Sequence, residues 1–228
     1  MLFDHPAALC ERLAAGELDV ALVSSFEFLR APIYTIVDGV SISANGPVFS
    51  VFLAYQGELN QVETVGADAS SLTSVNLLRC MLPEAEISGN LADKRGGTEH
   101  HGRLLIGDQA IRFRQEHEHT YRYLDLAEEW RVRTGLPFVF ALWLIRPEVA
   151  DPESIAAELR ACRDANLRRL NELADTQVDF PPEFVRSYWR ENLSFQFGAR
   201  EQAGLLKFRS LCESHRLIEA NAAPLRLA

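Results

Sequence analysis

The chain has 228 residues, 47% hydrophobic and 24% charged, enough apolar material for a core and too much for a disordered chain. Its formal net charge of −9 disfavours nucleic acid and anionic membrane surfaces as partners, so a small anionic ligand would have to be held by local donors. Four widely spaced cysteines, Cys10, Cys80, Cys162 and Cys212, form no CxxC pair, and free thiols in a reducing compartment are expected.

The opening stretch, MLFDHPAALCERL, has no basic segment followed by an apolar one, so no signal peptide is read there and a cytoplasmic location is expected. Pro6 to Ala15 reads as a helix closed by Gly16, and Asp19 to Ser24 as a short buried strand. Ser43 to Pro47 is a turn or crossing point, and Val48 to Tyr55 is strand-like. Val62 to Gly66 is a further strand. Asp68 to Ser71 then caps a helix over Leu72 to Leu82, with Leu72, Val75, Leu78 and Leu82 on one face. Glu84 to Ile87 is a candidate strand, and Asn90 to Gly102 a polar loop. Arg103 to Ile106 is a strand, and Gly107-Asp108 turns into a helix. Asp125 to Thr134 is a helix ended at Gly135, with Pro137 beyond.

Phe138 to Ile145 is the longest apolar run, far short of the ~20 residues that span a bilayer, and reads as a buried strand. From Asp151 onward no strand is expected. One long helix runs through Leu173, Pro181-Pro182 breaks the chain, and helices follow at Phe184 to Leu193 and Ala199 to His215. The class is α/β with a helical C-terminal tail.

No dinucleotide, P-loop, nucleophile-elbow or HExxH motif is present. His100, His101, His117 and His119, with Glu99 and Glu118 beside them and His5 farther off, sit in polar sequence. Surface histidines are expected there rather than a metal site. Ser70, Ser71, Thr73 and Ser74 gather hydroxyls and free N–H groups at a helix N-terminus, beyond what one cap needs, which suits an anion. Ser24-Ser25 and Gly107-Asp108 each follow a strand directly. In open α/β sheets ligands lie outside the carboxyl ends of strands, so these segments point to one cleft.

Five stretches, GELDVALVSSFEFLR (16–30), SISANGPVFSVFL (41–53), DASSLTSVNLLRCML (68–82), LLIGDQAI (104–111) and LDLAEEWRVRTGLPFVFALW (124–143), resemble the chorismate dehydratase family of the futalosine route to menaquinone. They follow one another in family order over about two-thirds of the chain. The resemblance implies a two-lobed fold like the type II periplasmic binding proteins, with mainly parallel sheets. Residues 1–46 with 147–228 would form one lobe and 47–146 the other, with crossings near 45–49 and 143–146. It implies a lyase that removes the ring hydroxyl of chorismate as water, with no cofactor or metal, because aromatisation drives the step. Ser70, Ser71, Thr73, Ser74 and Gly107 would bind one substrate carboxylate. Ser24, Ser25 and the backbone around Asn45-Gly46 would hold the other, or the ring hydroxyl. Asp108 and Glu27 are the acidic residues nearest the inferred cleft and the candidate bases; a substrate carboxylate serving as its own base is the alternative. Three rival readings remain: a sibling naphthoate synthase of the same pathway, a non-enzymatic solute-binding protein for small anions, and a degenerate binding protein that kept the fold but lost catalysis.

Nothing in this chain matches the strand, helix and second strand with which the family opens, or its asparagine loop. The chain is read as N-terminally shortened. The first lobe is therefore expected to have a sheet edge near Asp19 to Ser24 that is left open, covered by a second copy in a homodimer, or covered by the tail helices, and weak or no dehydratase activity is expected.

Overall fold

The computed structural model describes residues 2–67, 72–88, 101–220 and 223–228. Helix α1 (Pro6–Ala14) starts on a proline whose missing N–H costs nothing at a helix start. Gly16, at φ 79°, turns the chain towards strand β1 (Val20–Ser24). The short helix α2 (Ser25–Arg30) follows directly, then the long strand β2 (Thr35–Ala44). Sequence periodicity does not reveal β2. Its pairing shifts register between Ile36 and Ser41, around Gly39 at φ 78°, so its buried positions do not alternate.

Residues 45–50 lead out of the first sheet into β3 (Val51–Tyr55), β4 (Thr64–Ala67), α3 (Leu72–Met81) and β5 (Glu86–Ser88). Then come β6 (Gly102–Ile106), α4 (Gly107–Glu116), β7 (Arg122–Asp125) and α5 (Leu126–Thr134). These strands form a five-stranded sheet in the order β5-β4-β6-β3-β7. Strand β4 is parallel to both its neighbours, whereas β3 is antiparallel to both of its own.

Strand β8 (Phe138–Ile145) completes a three-stranded sheet in the order β1-β8-β2. The expected predominance of parallel pairing does not hold. The returning strand β8 slots between β1 and β2 and runs antiparallel to each. The same insertion moves the expected boundary at residue 146. By its pairing β8 belongs with β1 and β2, so the return crossing is at 135–137 rather than 143–146. An eight-residue apolar run reads the same in either sheet, so sequence alone could not assign it. Among the described residues, strand β1 pairs on one side only and is an edge of its sheet.

The tail is helical: α6 (Pro152–Arg168), α7 (Leu170–Asp175), α8 (Pro182–Ser187), one π turn over 188–192, and α9 (Ala199–Ser214). The expected long helix through Leu173 is interrupted at Arg169. The tail covers the outer edge of β2 through bridges from Ser194 to Ser43 and from Leu227 to Ile36. Helix α9 packs on β8, where a Cβ on Gly204 would stand 2.1 Å from the Pro137 carbonyl oxygen, so only glycine permits this approach. Under that contact Trp130 packs edge-on to Phe138 and Phe208 and donates its indole N–H to the same carbonyl at 3.1 Å.

Candidate active site

Register places the chemistry. In the second sheet Ala67 pairs with Leu104, Val51 with Ile106 and Phe52 with Asp125, so β4, β6 and β7 all end on the edge where β3 begins. Helices α3, α4 and α5 therefore start along that edge, with their free N–H groups and positive dipole ends beside one another. In the first sheet Ser24 pairs with Ala141 and Ala44 with Phe138, which aligns the ends of β1 and β2 with the start of β8. The strand ends thus carry Ser24-Ser25 and Asn45-Gly46 from one sheet, and Thr73-Ser74 and Gly107-Asp108 from the other.

Thr73 joins the two. Its hydroxyl lies 2.5 Å from the Ser24 hydroxyl and 3.4 Å from that of Ser25, and it donates to the Phe140 carbonyl at 3.0 Å. The Ser25 hydroxyl donates to the Val139 carbonyl at 2.7 Å. Each hydroxyl has one proton, so Ser24 donates to Thr73 and keeps its lone pairs free. Ser24 is half-buried, whereas Ser25, Thr73 and Ser74 are buried. A carboxylate arriving here would turn the Ser24 proton towards itself, while the first N–H groups of α3 supply further donors. Ser70 and Ser71 of the expected cradle lie outside the described residues.

Asn45 is exposed at the end of β2, and Gly46, at φ 138°, follows it. A Cβ on Gly46 would come within 3.2 Å of the Arg131 guanidinium, a cation that sequence reading did not single out. Gly107, at φ 63°, donates its N–H to the Ser50 carbonyl at 2.8 Å, and Asp108 beside it is exposed. Glu27 is set apart from these groups. It is 2% exposed, and one of its carboxylate oxygens accepts Arg30 Nε at 2.7 Å and meets Arg30 Nη2 at 2.6 Å.

A second constellation, at the crossing 45–50, escaped the sequence reading. Asp125 caps α5, accepting N–H groups of Ala127 at 3.0 Å and Glu128 at 3.1 Å. It also accepts Val48 N–H at 3.2 Å and Phe49 N–H at 2.7 Å. Burial pushes its carboxyl above the usual range against the pull of those four donors. Ser50 shares a 2.7 Å hydrogen bond with the Tyr188 phenol in the π turn. Burial raises that phenol, with the nearby charges of Asp108 and Asp125 adding to the effect. The cap at Asp125 was legible in the sequence; its reach back to 48–49 was not, because it spans more than seventy residues.

A cavity of about 450 Å3 is bordered by Leu22, Trp143, Leu159, Trp189 and Phe195. His101 accepts the Glu63 N–H at 3.2 Å, His117 stacks on Phe113 at 4.3 Å, and His100 is outside the described residues. Among the described residues no three His, Cys, Asp or Glu side chains converge, and no helix is long and apolar enough to cross a membrane.

Two α/β sheets that meet at their strand ends and are joined by two crossings define the periplasmic-binding-protein fold. The solved structures agree. A crystal structure of an Archaeoglobus fulgidus protein superposes with a TM-score of 0.72 at 17% identity, covering 96% of this chain and 86% of that one. A Candida albicans protein described as having the generic periplasmic binding protein fold gives 0.63 at 11% identity, covering 95% and 79%. The sequence narrows this to one family: the model of a menaquinone biosynthesis family matches residues 1–214, and the chain belongs to that family. The chorismate dehydratase of Thermus thermophilus is 34% identical over 192 residues, 76% of this chain and 71% of that enzyme.

Proposed function

We propose that this protein is a chorismate dehydratase, a hydro-lyase that converts chorismate to 3-[(1-carboxyvinyl)oxy]benzoate in the cytoplasm. The observation that carries the reading is the Ser24–Thr73 contact between the strand ends of two sheets, in a chain 34% identical to an enzyme of that name. The reaction removes the ring hydroxyl as water and a neighbouring ring proton, and the gain of an aromatic ring drives it. The protein's work is to position two carboxylates and handle one proton.

In this reading the start of α3, with Thr73, Ser74 and the preceding Ser70 and Ser71, takes one carboxylate, and the Gly107 turn borders it. Ser24, Ser25 and the backbone at Asn45-Gly46, with Arg131 beside it, take the other carboxylate or the ring hydroxyl. Asp108, exposed at the start of α4, is the candidate base. Glu27 is already engaged by Arg30 and steadies α2. The free edge of β1 supports pairing of two copies, which sedimentation at several concentrations would detect.

The test is to incubate the purified chain with chorismate and follow its loss and the appearance of the aromatic product by chromatography. Tight binding of chorismate without consumption would make the protein an anion-binding member of the fold instead.

A further inference from the structure

The outward crossing, the second sheet and the tail converge on Ser50. The ladder between β3 and β6 closes with Val51 opposite Ile106, and one further bond continues it: Gly107 donates its N–H to the Ser50 carbonyl at 2.8 Å. The Ser50 N–H donates to the Val48 carbonyl at 2.8 Å, and the Ser50 hydroxyl shares its 2.7 Å bond with the Tyr188 phenol. Ser50 is buried, so water does not readily replace a lost partner.

Tyr188 reaches this point from the tail. It opens the π turn, a rare geometry that recurs at functional sites. At the other end of that turn Asn192 donates its side-chain amide to the Pro47 carbonyl at 2.9 Å, so the turn grips the crossing twice. The Tyr188 ring lies parallel to Phe184 with centroids 6.0 Å apart, and Phe184 in turn meets Phe49 at 5.9 Å. The ring is thus held by aromatic neighbours, while the hydroxyl reaches Ser50. Burial, joined by the charges of Asp108 and Asp125, raises the phenol above its ordinary value, so at neutral pH it stays protonated and serves as a hydrogen-bonding group, not as a base.

We propose that Tyr188 is a positioning residue for the dehydration: through Ser50 it fixes the Gly107 turn, and so sets the direction in which Asp108 is presented at the start of α4. That role rests on the reading of Asp108 as the base of a chorismate dehydratase. Gly107 stands at φ 63° and Asp108 follows it directly, so a swing of this turn displaces the carboxylate. Ser24 and Thr73, assigned to the substrate, lie on other elements, β1 and α3. Loss of the phenol therefore acts on the chemical step rather than on substrate binding.

The test compares the full chain with Tyr188→Phe, Asp108→Asn and the double variant. Tyr188→Phe keeps the ring against Phe184 and removes only the phenol oxygen. Expected is a fall of about tenfold in kcat, with KM within about twofold and a melting temperature within a few degrees of wild type. In the Asp108→Asn background the same change should cost nothing further, since both act through residue 108. An unchanged kcat, a loss carried wholly by KM, or a second fall of that size in the double variant would overturn the role. Should Tyr188→Phe fail to fold, Ser50→Ala breaks the same bond from the other side and is held to the same outcomes. Amide exchange at Gly107, followed by NMR, needs no substrate, and Tyr188→Phe should quicken it about tenfold. Unchanged exchange would overturn the link from phenol to turn. Quicker exchange in a protein that consumes no chorismate would leave that link standing and sink the dehydratase reading.

Discussion

Asp125 holds Phe49 in a conformation that this residue would otherwise avoid. Phe49 sits at φ 66°, and its N–H is bound by the Asp125 carboxylate at 2.7 Å. A bulky residue at positive φ costs on the order of 1–3 kcal/mol and persists only where the surroundings enforce it. The same carboxylate caps α5, so one side chain connects the outward crossing to a helix beside the return crossing.

Asp125→Ala should lower stability by about 2 kcal/mol, from the lost cap and the lost bonds to the Val48 and Phe49 N–H groups. In a chain of this size that is roughly 4–8 °C in melting temperature, measurable by calorimetry. The pH dependence has a definite sign. Because folding raises the carboxyl, its contribution is fully present below the unfolded value near 3.8 and is lost as pH rises through the folded value. The wild-type advantage over the alanine variant should shrink over that window, and growth of the advantage with pH would contradict it.

Thr73→Val keeps the shape of Thr73 but removes the hydroxyl that Ser24 meets at 2.5 Å. A stability loss of about 1 kcal/mol is expected, along with a 10- to 100-fold drop in kcat/KM for chorismate. Thr73→Ser, which restores the hydroxyl, should stay within a few-fold of wild type. A loss in Thr73→Ser with none in Thr73→Val would show that the methyl group, not the hydroxyl, matters.

The two acidic candidates should separate by assay. Asp108→Asn is expected to cut kcat about 100-fold with an unchanged melting temperature, as befits an exposed general base. Glu27→Gln should do the reverse, costing about 1–2 kcal/mol of stability through the weakened Arg30 pair and leaving kcat nearly intact. A large kcat loss in Glu27→Gln with the fold preserved would reinstate Glu27 as the base.

Gly204→Ala places a methyl group 2.1 Å from the Pro137 carbonyl oxygen. Backbone lies on both sides, so α9 must move off the start of β8, costing about 3 kcal/mol or more. Because Trp130 donates to that same carbonyl, its fluorescence should shift in step with the loss of stability. An unshifted spectrum and melting curve would refute this packing.

Local signals made much of the fold legible. Gly16 and Gly135, both at positive φ, marked helix ends, Asp125 and Asp151 marked helix starts, and the apolar run at 138–145 marked a strand. Each of these depends on neighbours within one turn, which is the range over which propensity and capping act. The strand-end positions of Ser24, Thr73 and Gly107 were legible for the same reason. Strand β2 was hidden because a bulge destroys its alternation, and α2 because six residues are too few to show a period. Tertiary structure alone decided which sheet takes β8, that Thr73 meets Ser24 across 49 positions, and that Asp125 reaches Phe49 across 76. Side-chain chemistry is written in the sequence, but pairing between distant segments is set by register and crossing order, and a side-chain pattern carries no record of its partner.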